Sequence, residues 1–234
     1  MTGFADVFES VRDIDGWLTV DQARLLYDRA AALAPGAVIV EIGSHHARST
    51  IVLAKAAPEA KIVAVDPYEE AEPRPRDLER FESNLERAGV RSQVRHVHAS
   101  STAALSLVSG AIDLLYIDGA HDLRTARADI QGWGARVREG GTLLIHDSFS
   151  SVGVTLAEIM SLFLGGNFRY VGRSRTLAEY RREPVSVTGR AVNASRQAVS
   201  LPWFLRNVAV KAALVARAPS LARLLGHADD VFPY

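Results

Sequence analysis

"AVIVEIGSHHARSTIVLAKAAP", residues 37–58, decides the fold. Ala37 to Ile42 is an apolar, largely β-branched run broken only by Glu41, the composition of a strand buried on both faces. Gly43 follows it directly, and "RSTIVLAKAA" has the character of a helix closed by Pro58. Strand, glycine-bearing loop and helix make the first half of a βαβ unit.

The unit repeats along the chain. Strand-like runs recur at "KIVAVD" (61–66), "QVRHVHA" (93–99), "IDLLYID" (112–118) and "GTLLIHD" (141–147), with "RDLERFESNLERAG", "STAALSLVS" and "LRTARADIQGWGARVREG" between them. Leu78, Phe81, Leu85 and Ala88 share a helical stripe, and Gly89 and Gly140 stand where helices would stop. Right-handed crossovers assemble such units into an open parallel sheet. After the helix-like "VGVTLAEIMSLFLGG", "NFRYVGRS" and "RTLAEYRRE" read as two strands with a tight connection. The expected architecture is α/β and Rossmann-like: a seven-stranded, mostly parallel sheet with one antiparallel edge strand and helices on both faces. The whole of 1–234 is expected to form one domain, with helices in 1–34, a cofactor-binding core over 35–182, and an extension over 183–234 holding one amphipathic helix near 203–217.

Composition narrows the function. Lys plus Arg and Asp plus Glu both number 27, so no basic excess favours nucleic acid. From Arg169 onward, however, eleven basic residues face four acidic ones. Zero cysteines exclude disulfides, thiolate metal sites and a cysteine nucleophile, which suits a cytoplasmic location. The N-terminus has no apolar core of a signal peptide, and no uncharged apolar run reaches the roughly 20 residues of a membrane span, so a membrane partner is not expected.

In an open α/β sheet the ligand crevice lies outside the carboxyl ends of the strands. Gly43 lets main chain approach a ligand there, the helix starting near Arg48 or Ser49 offers free N–H groups, and Asp66, ending the second strand, can accept from both ribose hydroxyls. That spacing fits NAD as well as S-adenosylmethionine (SAM). The loop reads G-S-H-H-A-R, without the glycines that bring backbone against a pyrophosphate, which favours SAM. The expected cofactor set is Glu41, Gly43, Ser44, Ser49, Asp66, Ser100 and Asp118, with His45 and His46 lining or rimming the cleft.

"YIDGAH" and "LIHD" end strands expected to be neighbours, so Asp118, His146 and Asp147 can converge on a cation. Carboxylates suit Mg²⁺, and an imidazole widens the choice toward Mn²⁺, Fe²⁺ or Zn²⁺. A metal-bound hydroxyl ionises more easily, and His121, three residues after Asp118, is placed to take its proton. Two rivals stand beside this: the His-Asp pair as a helix cap, and metal-free acid and base work.

Over roughly 35–182 the ordered set "EIGS…ARST", "AVDPY", "IDGAH", "DIQGW" and "GGTLLIHD" resembles class I SAM-dependent methyltransferases, and within them the branch of macrocin and mycinamicin O-methyltransferases, which also holds cephalosporin hydroxylase relatives. The resemblance implies an O-methyltransferase using SAM and Mg²⁺ (or Mn²⁺), with Asp118 as ligand, His121 as general base, and an acceptor hydroxyl on a sugar or glycosylated metabolite. His146 replaces an acid of that pattern, leaving it as ligand or base, and Ala47 replaces a common glycine. The alternatives are a metal-independent small-molecule methyltransferase or an iron-dependent hydroxylase of the same fold. "YEEAEPRPRD" (68–77) reads as a lid or a solvated loop, and Trp17 as core or as cleft wall. The basic amphipathic segment from Trp203 packs on its own domain, joins a homodimer, or meets a membrane or partner.

Overall fold

The computed structural model describes residues 3–68 and 76–227, so most of the expected lid segment lies outside the described residues. Two helices, α1 (Phe4–Ser10) and α2 (Val20–Ala31), precede the sheet. Then come β1 (Val38–Ile42), α3 (Arg48–Ala56), β2 (Lys61–Asp66), α4 (Asp77–Ala88), β3 (Val94–His98), α5 (Ser101–Leu107), β4 (Ile112–Ile117), α6 (Leu123–Gly132), β5 (Val137–Ile145) and α7 (Val152–Glu158). A hairpin, β6 (Phe168–Ser174) and β7 (Leu177–Arg182), closes the sheet, followed by α8 (Val187–Ala198), α9 (Leu201–Val215) and α10 (Pro219–Leu224).

The strand order is β3-β2-β1-β4-β5-β7-β6. β1 to β5 pair in parallel, while β7 runs antiparallel between β5 and β6, so the reversed strand lies one place in from the edge. The order in which strands are added to the sheet reverses at β1, whose neighbours are β2 and β4, and this is where the crevice opens.

Strand alternation sends β1 side chains to two cores. Ile39, with Leu114, Tyr116 and Leu144, packs under α1, α2 and α3; Val40 and Ile42, with Leu115, Ile117 and Ile145, pack under α5, α6 and α7. Buried Phe81 and Leu85 confirm the stripe expected on α4, which Gly89 ends at φ 71°. Gly140 is no helix stop. α6 ends at Gly132, a short 3-10 turn follows, and Gly140 belongs to β5, where three extra residues bulge opposite β4. Among its described residues the C-terminal extension holds three helices rather than one; buried Asn193 and Gln197 fasten the unexpected α8 to β6 and β7, Asn193 Oδ1 accepting from Tyr170 N (2.6 Å) and Gln197 Oε1 from the Tyr180 hydroxyl (2.8 Å).

Candidate active site

A cleft of about 630 Å³ runs across the carboxyl ends of β1, β2, β4 and β5. Gly43, Ser44, His45, His46, Ser49, Asp66, Ser100, Asp118, His121, His146 and Asp147 all line it. Residues 15–18, between α1 and α2, form a wall that the sequence placed only loosely. Trp17 is 65 % exposed, with its ring 6.1 Å from that of His45, so it belongs to the rim and not to the core.

At the β2 side, Asp66 orders the loops beside it. Oδ2 accepts from His45 N (2.9 Å) and Oδ1 from Tyr68 N (3.0 Å), which leaves further lone pairs toward the cleft. Ser44 Oγ is buried there with no protein partner. Ala47, at φ 69°, precedes α3 without a side-chain cap, so the first N–H groups of that helix stay available to a ligand. Ser100 caps α5 by accepting from Ala103 N.

Glu41 departs from the expected set. Residue alternation puts its side chain on the Ile39 face, wholly buried under α3, where Ser49 Oγ (2.5 Å) and Thr50 Oγ1 donate to its two oxygens. It anchors the start of α3 and does not line the cleft. Burial raises its pKa to about 7, against the opposing pull of those two hydroxyls.

The turn from Asp118 to His121 is clamped by two glycines. A Cβ on Gly43, whose φ is 88°, would lie 2.1 Å from Asp118 O; a Cβ on Gly153, in α7, would lie 2.1 Å from His121 O. Gly43 is thus required by the neighbouring strand end, a reason different from the approach to ligand expected of it. Gly153 carries no local sequence signal, being one glycine in an apolar helix.

Inside the clamp, Asp118 Oδ2 accepts from the Tyr116 hydroxyl (2.8 Å), and Oδ1 lies 3.2 Å from His146 Nδ1. His121 Nε2 is 2.6 Å from Asp147 Oδ2, and His146 Nδ1 is 3.6 Å from the same oxygen. Asp147 caps no helix; φ 59° turns its carboxylate toward His121. The two histidines differ in exposure, with side chains 58 % accessible for His121 and 4 % for His146. Burial lowers the His146 pKa, but the neighbouring Asp118 and Asp147 outweigh it and raise it to about 10. Burial of Asp147 opposes its ionisation, yet the close contact with His121 and the nearby His146 ring hold it well below the ordinary range. The hydrogen bond to Asp147 raises His121.

Donor atoms of Asp118, His121 and Asp147 lie within 4.8 Å of one another, a spacing that suits a shared cation. The trio expected from sequence had His146 in place of His121; here His146 Nδ1 lies beside both carboxylates, 3.2 Å from Asp118 Oδ1 and 3.6 Å from Asp147 Oδ2. A second cluster, His45, His46 and Asp77, has the same spacing, but its imidazoles are stacked at 3.7 Å and 19°. Their in-plane lone pairs run side by side instead of converging. His46 Nε2 instead pairs with Asp77 Oδ1 at 2.9 Å.

This strand order and site define a class I methyltransferase fold. Residues 40–148 match the model of a family described as a methyltransferase domain. Among solved structures, SAH-bound methyltransferase PaMTH1 of Podospora anserina is 12 % identical with a TM-score of 0.61, covering 77 % of this chain and 87 % of its own. Cofactor-bound Rv0187 from MTB is 22 % identical (TM-score 0.56; 76 % and 87 %). The O-methyltransferase TomG of Streptomyces achromogenes, involved in tomaymycin synthesis and solved with SAM, is 18 % identical (TM-score 0.53; 76 % and 86 %). At these identities the likeness is one of fold.

Proposed function

We propose that the protein is a SAM-dependent O-methyltransferase acting on a small-molecule hydroxyl, carried by a carbohydrate or glycosylated metabolite, with a divalent cation at Asp118, His121 and Asp147. The convergence of those three side chains at the end of the cleft opposite Asp66 carries the reading. Bound SAM would supply an electrophilic methyl group for the acceptor oxygen. Asp66 suits its ribose hydroxyls, while the unpartnered Ser44 Oγ and the uncapped start of α3 suit its amino-acid end. The SAM-bound TomG and SAH-bound PaMTH1 support the cofactor, and TomG supports oxygen as the acceptor. The exposed Trp17 beside Asp15 offers a flat apolar face and a hydrogen-bond acceptor, a combination that suits a sugar ring.

The donor set is two carboxylates and one imidazole, which fits Mn²⁺ better than the all-oxygen preference of Mg²⁺. A cation there lowers the pKa of an acceptor hydroxyl. The 2.6 Å Asp147–His121 contact favours a second, metal-free reading, in which Asp147 orients His121 and the half-exposed ring takes the hydroxyl proton. Labelled SAM with a panel of sugar acceptors, assayed with chelator and with Mn²⁺ or Mg²⁺ restored, tests both. Loss and recovery of methyl transfer supports the cation; full turnover in verified metal-free enzyme leaves the Asp147–His121 base; no transfer to any hydroxyl acceptor overturns the O-methyltransferase reading.

A further inference from the structure

From Pro184 to His227 the chain carries six basic side chains, Arg190, Arg196, Arg206, Lys211, Arg217 and Arg223, and no aspartate or glutamate. Within this stretch α9 is amphipathic in the reverse sense of an ordinary surface helix. Its inward side holds buried Asn207 and Val210, and it is bonded to the loop after β5: Asn207 Nδ2 donates to Phe149 O (3.2 Å) and Lys211 Nζ to Ser150 O (3.1 Å). The opposite side, Leu201, Leu205, Val208, Ala212 and Val215 in i, i+4, i+7 succession with Pro202, Ala209 and Ala216 beside them, contains no polar residue. Leu205 is 65 % and Val215 86 % exposed. Leu221 and Leu224 of α10 add further exposed apolar surface.

Residues 187–215 are long and apolar enough to cross a membrane by length and composition. Crossing conflicts with the buried Asn193, Gln197 and Asn207, whose hydrogen bonds lay α8 and α9 along the domain. A second copy meeting this face would bring like charges together, whereas an anionic bilayer accepts the apolar strip and neutralises the flanking arginines. We propose that α9 docks by its outward apolar face on the surface of an anionic bilayer, contrary to the expectation from sequence of no membrane partner. The inference is independent of methyl transfer, and α9 is bonded to the same loop that carries Asp147.

The test is co-sedimentation of the full chain with vesicles of phosphatidylcholine plus phosphatidylglycerol, against phosphatidylcholine alone. Binding is expected to the anionic vesicles, to weaken with salt, and to fall by about tenfold or more in a Leu205→Asp/Ala212→Asp variant. Both positions are exposed, so the variant should keep its thermal melt. No binding to anionic vesicles, equal binding to both compositions, or an unaffected variant overturns the proposal. So does a dimer, detected by light scattering in the absence of vesicle binding, that the same variant dissociates.

Discussion

Replacing Gly43 by alanine tests the contact on which the site is built. The new Cβ would stand 2.1 Å from Asp118 O, 2.6 Å from its carbonyl carbon and 3.0 Å from Gly119 Cα. A C···O contact normally needs about 3.3 Å, so the ends of β1 and β4 must part by roughly 1 Å. Overpacking of that kind costs about 1–3 kcal/mol, and the left-handed backbone adds about 1–2 kcal/mol for a residue with a side chain. The sum, about 2–5 kcal/mol, lowers the melting temperature of a chain this size by roughly 4–20 °C. Because the moving atoms carry the Asp118 side chain, SAM affinity should fall with stability. Ala47→Gly is the control in the same loop: it relieves a left-handed alanine at φ 69° without any clash, loses one buried methyl and loosens the unfolded chain, so its net effect stays under about 1 kcal/mol. Thermal unfolding and calorimetric SAM titration read both variants. A Gly43→Ala melt within about 2 °C of wild type, with unchanged SAM affinity, would refute the crowding argument.

Four further substitutions probe the site and its surroundings. Asp66→Ala should weaken SAM binding by about 1–3 kcal/mol by calorimetry, and unchanged affinity removes Asp66 from the cofactor set. His146→Ala removes the buried imidazole beside the Asp118 and Asp147 carboxylates, which should destabilise cation-free protein by on the order of 3 kcal/mol, with added Mn²⁺ restoring the melt; His121→Ala should instead raise the Mn²⁺ concentration needed for turnover, whereas a loss of ~10²–10⁴-fold at every Mn²⁺ concentration marks it as the base. Burial raises buried Glu158 to about 8, against hydrogen bonds from Ser148 and Tyr180. A carboxyl raised in the folded state stabilises fully below its unfolded value near 4.5 and loses that contribution as pH climbs through about 8, so Glu158→Gln should flatten the decline of stability over that window; parallel wild-type and variant curves would count against it.

The strands and most helices were legible because their signals are local. Buried strands advertise themselves as apolar runs, α4 as the Leu78–Phe81–Leu85 stripe, and the strand-end position of Asp66, Asp118 and Asp147 follows from where the runs stop. Tyr116 was missed, although a signal existed: it precedes Asp118 by two residues and so shares its face of β4. Gly140 misled because a glycine after a helical pattern looks the same whether it stops a helix or sits in a bulge.

Sequence alone therefore determined the order of the elements of the sheet, the sheet type and the strand ends that meet at the crevice, all properties of short-range pattern. Only the tertiary structure decided which atoms meet there. His121 reaches Asp147 across 26 residues of chain because a left-handed Asp147 and the close approach of Gly153 aim the two turns at each other. His146, although adjacent to Asp147, comes nearer to Asp118, 3.2 Å against 3.6 Å. Glu41 turns beneath α3, Trp17 comes from a distant segment to the rim, and α9 shows solvent its apolar side because Asn207 and Lys211 find backbone oxygens on the domain. A side chain's direction at a strand end depends on loop dihedrals and on packing against segments far away in sequence, and neither is written in the pattern of neighbouring residues.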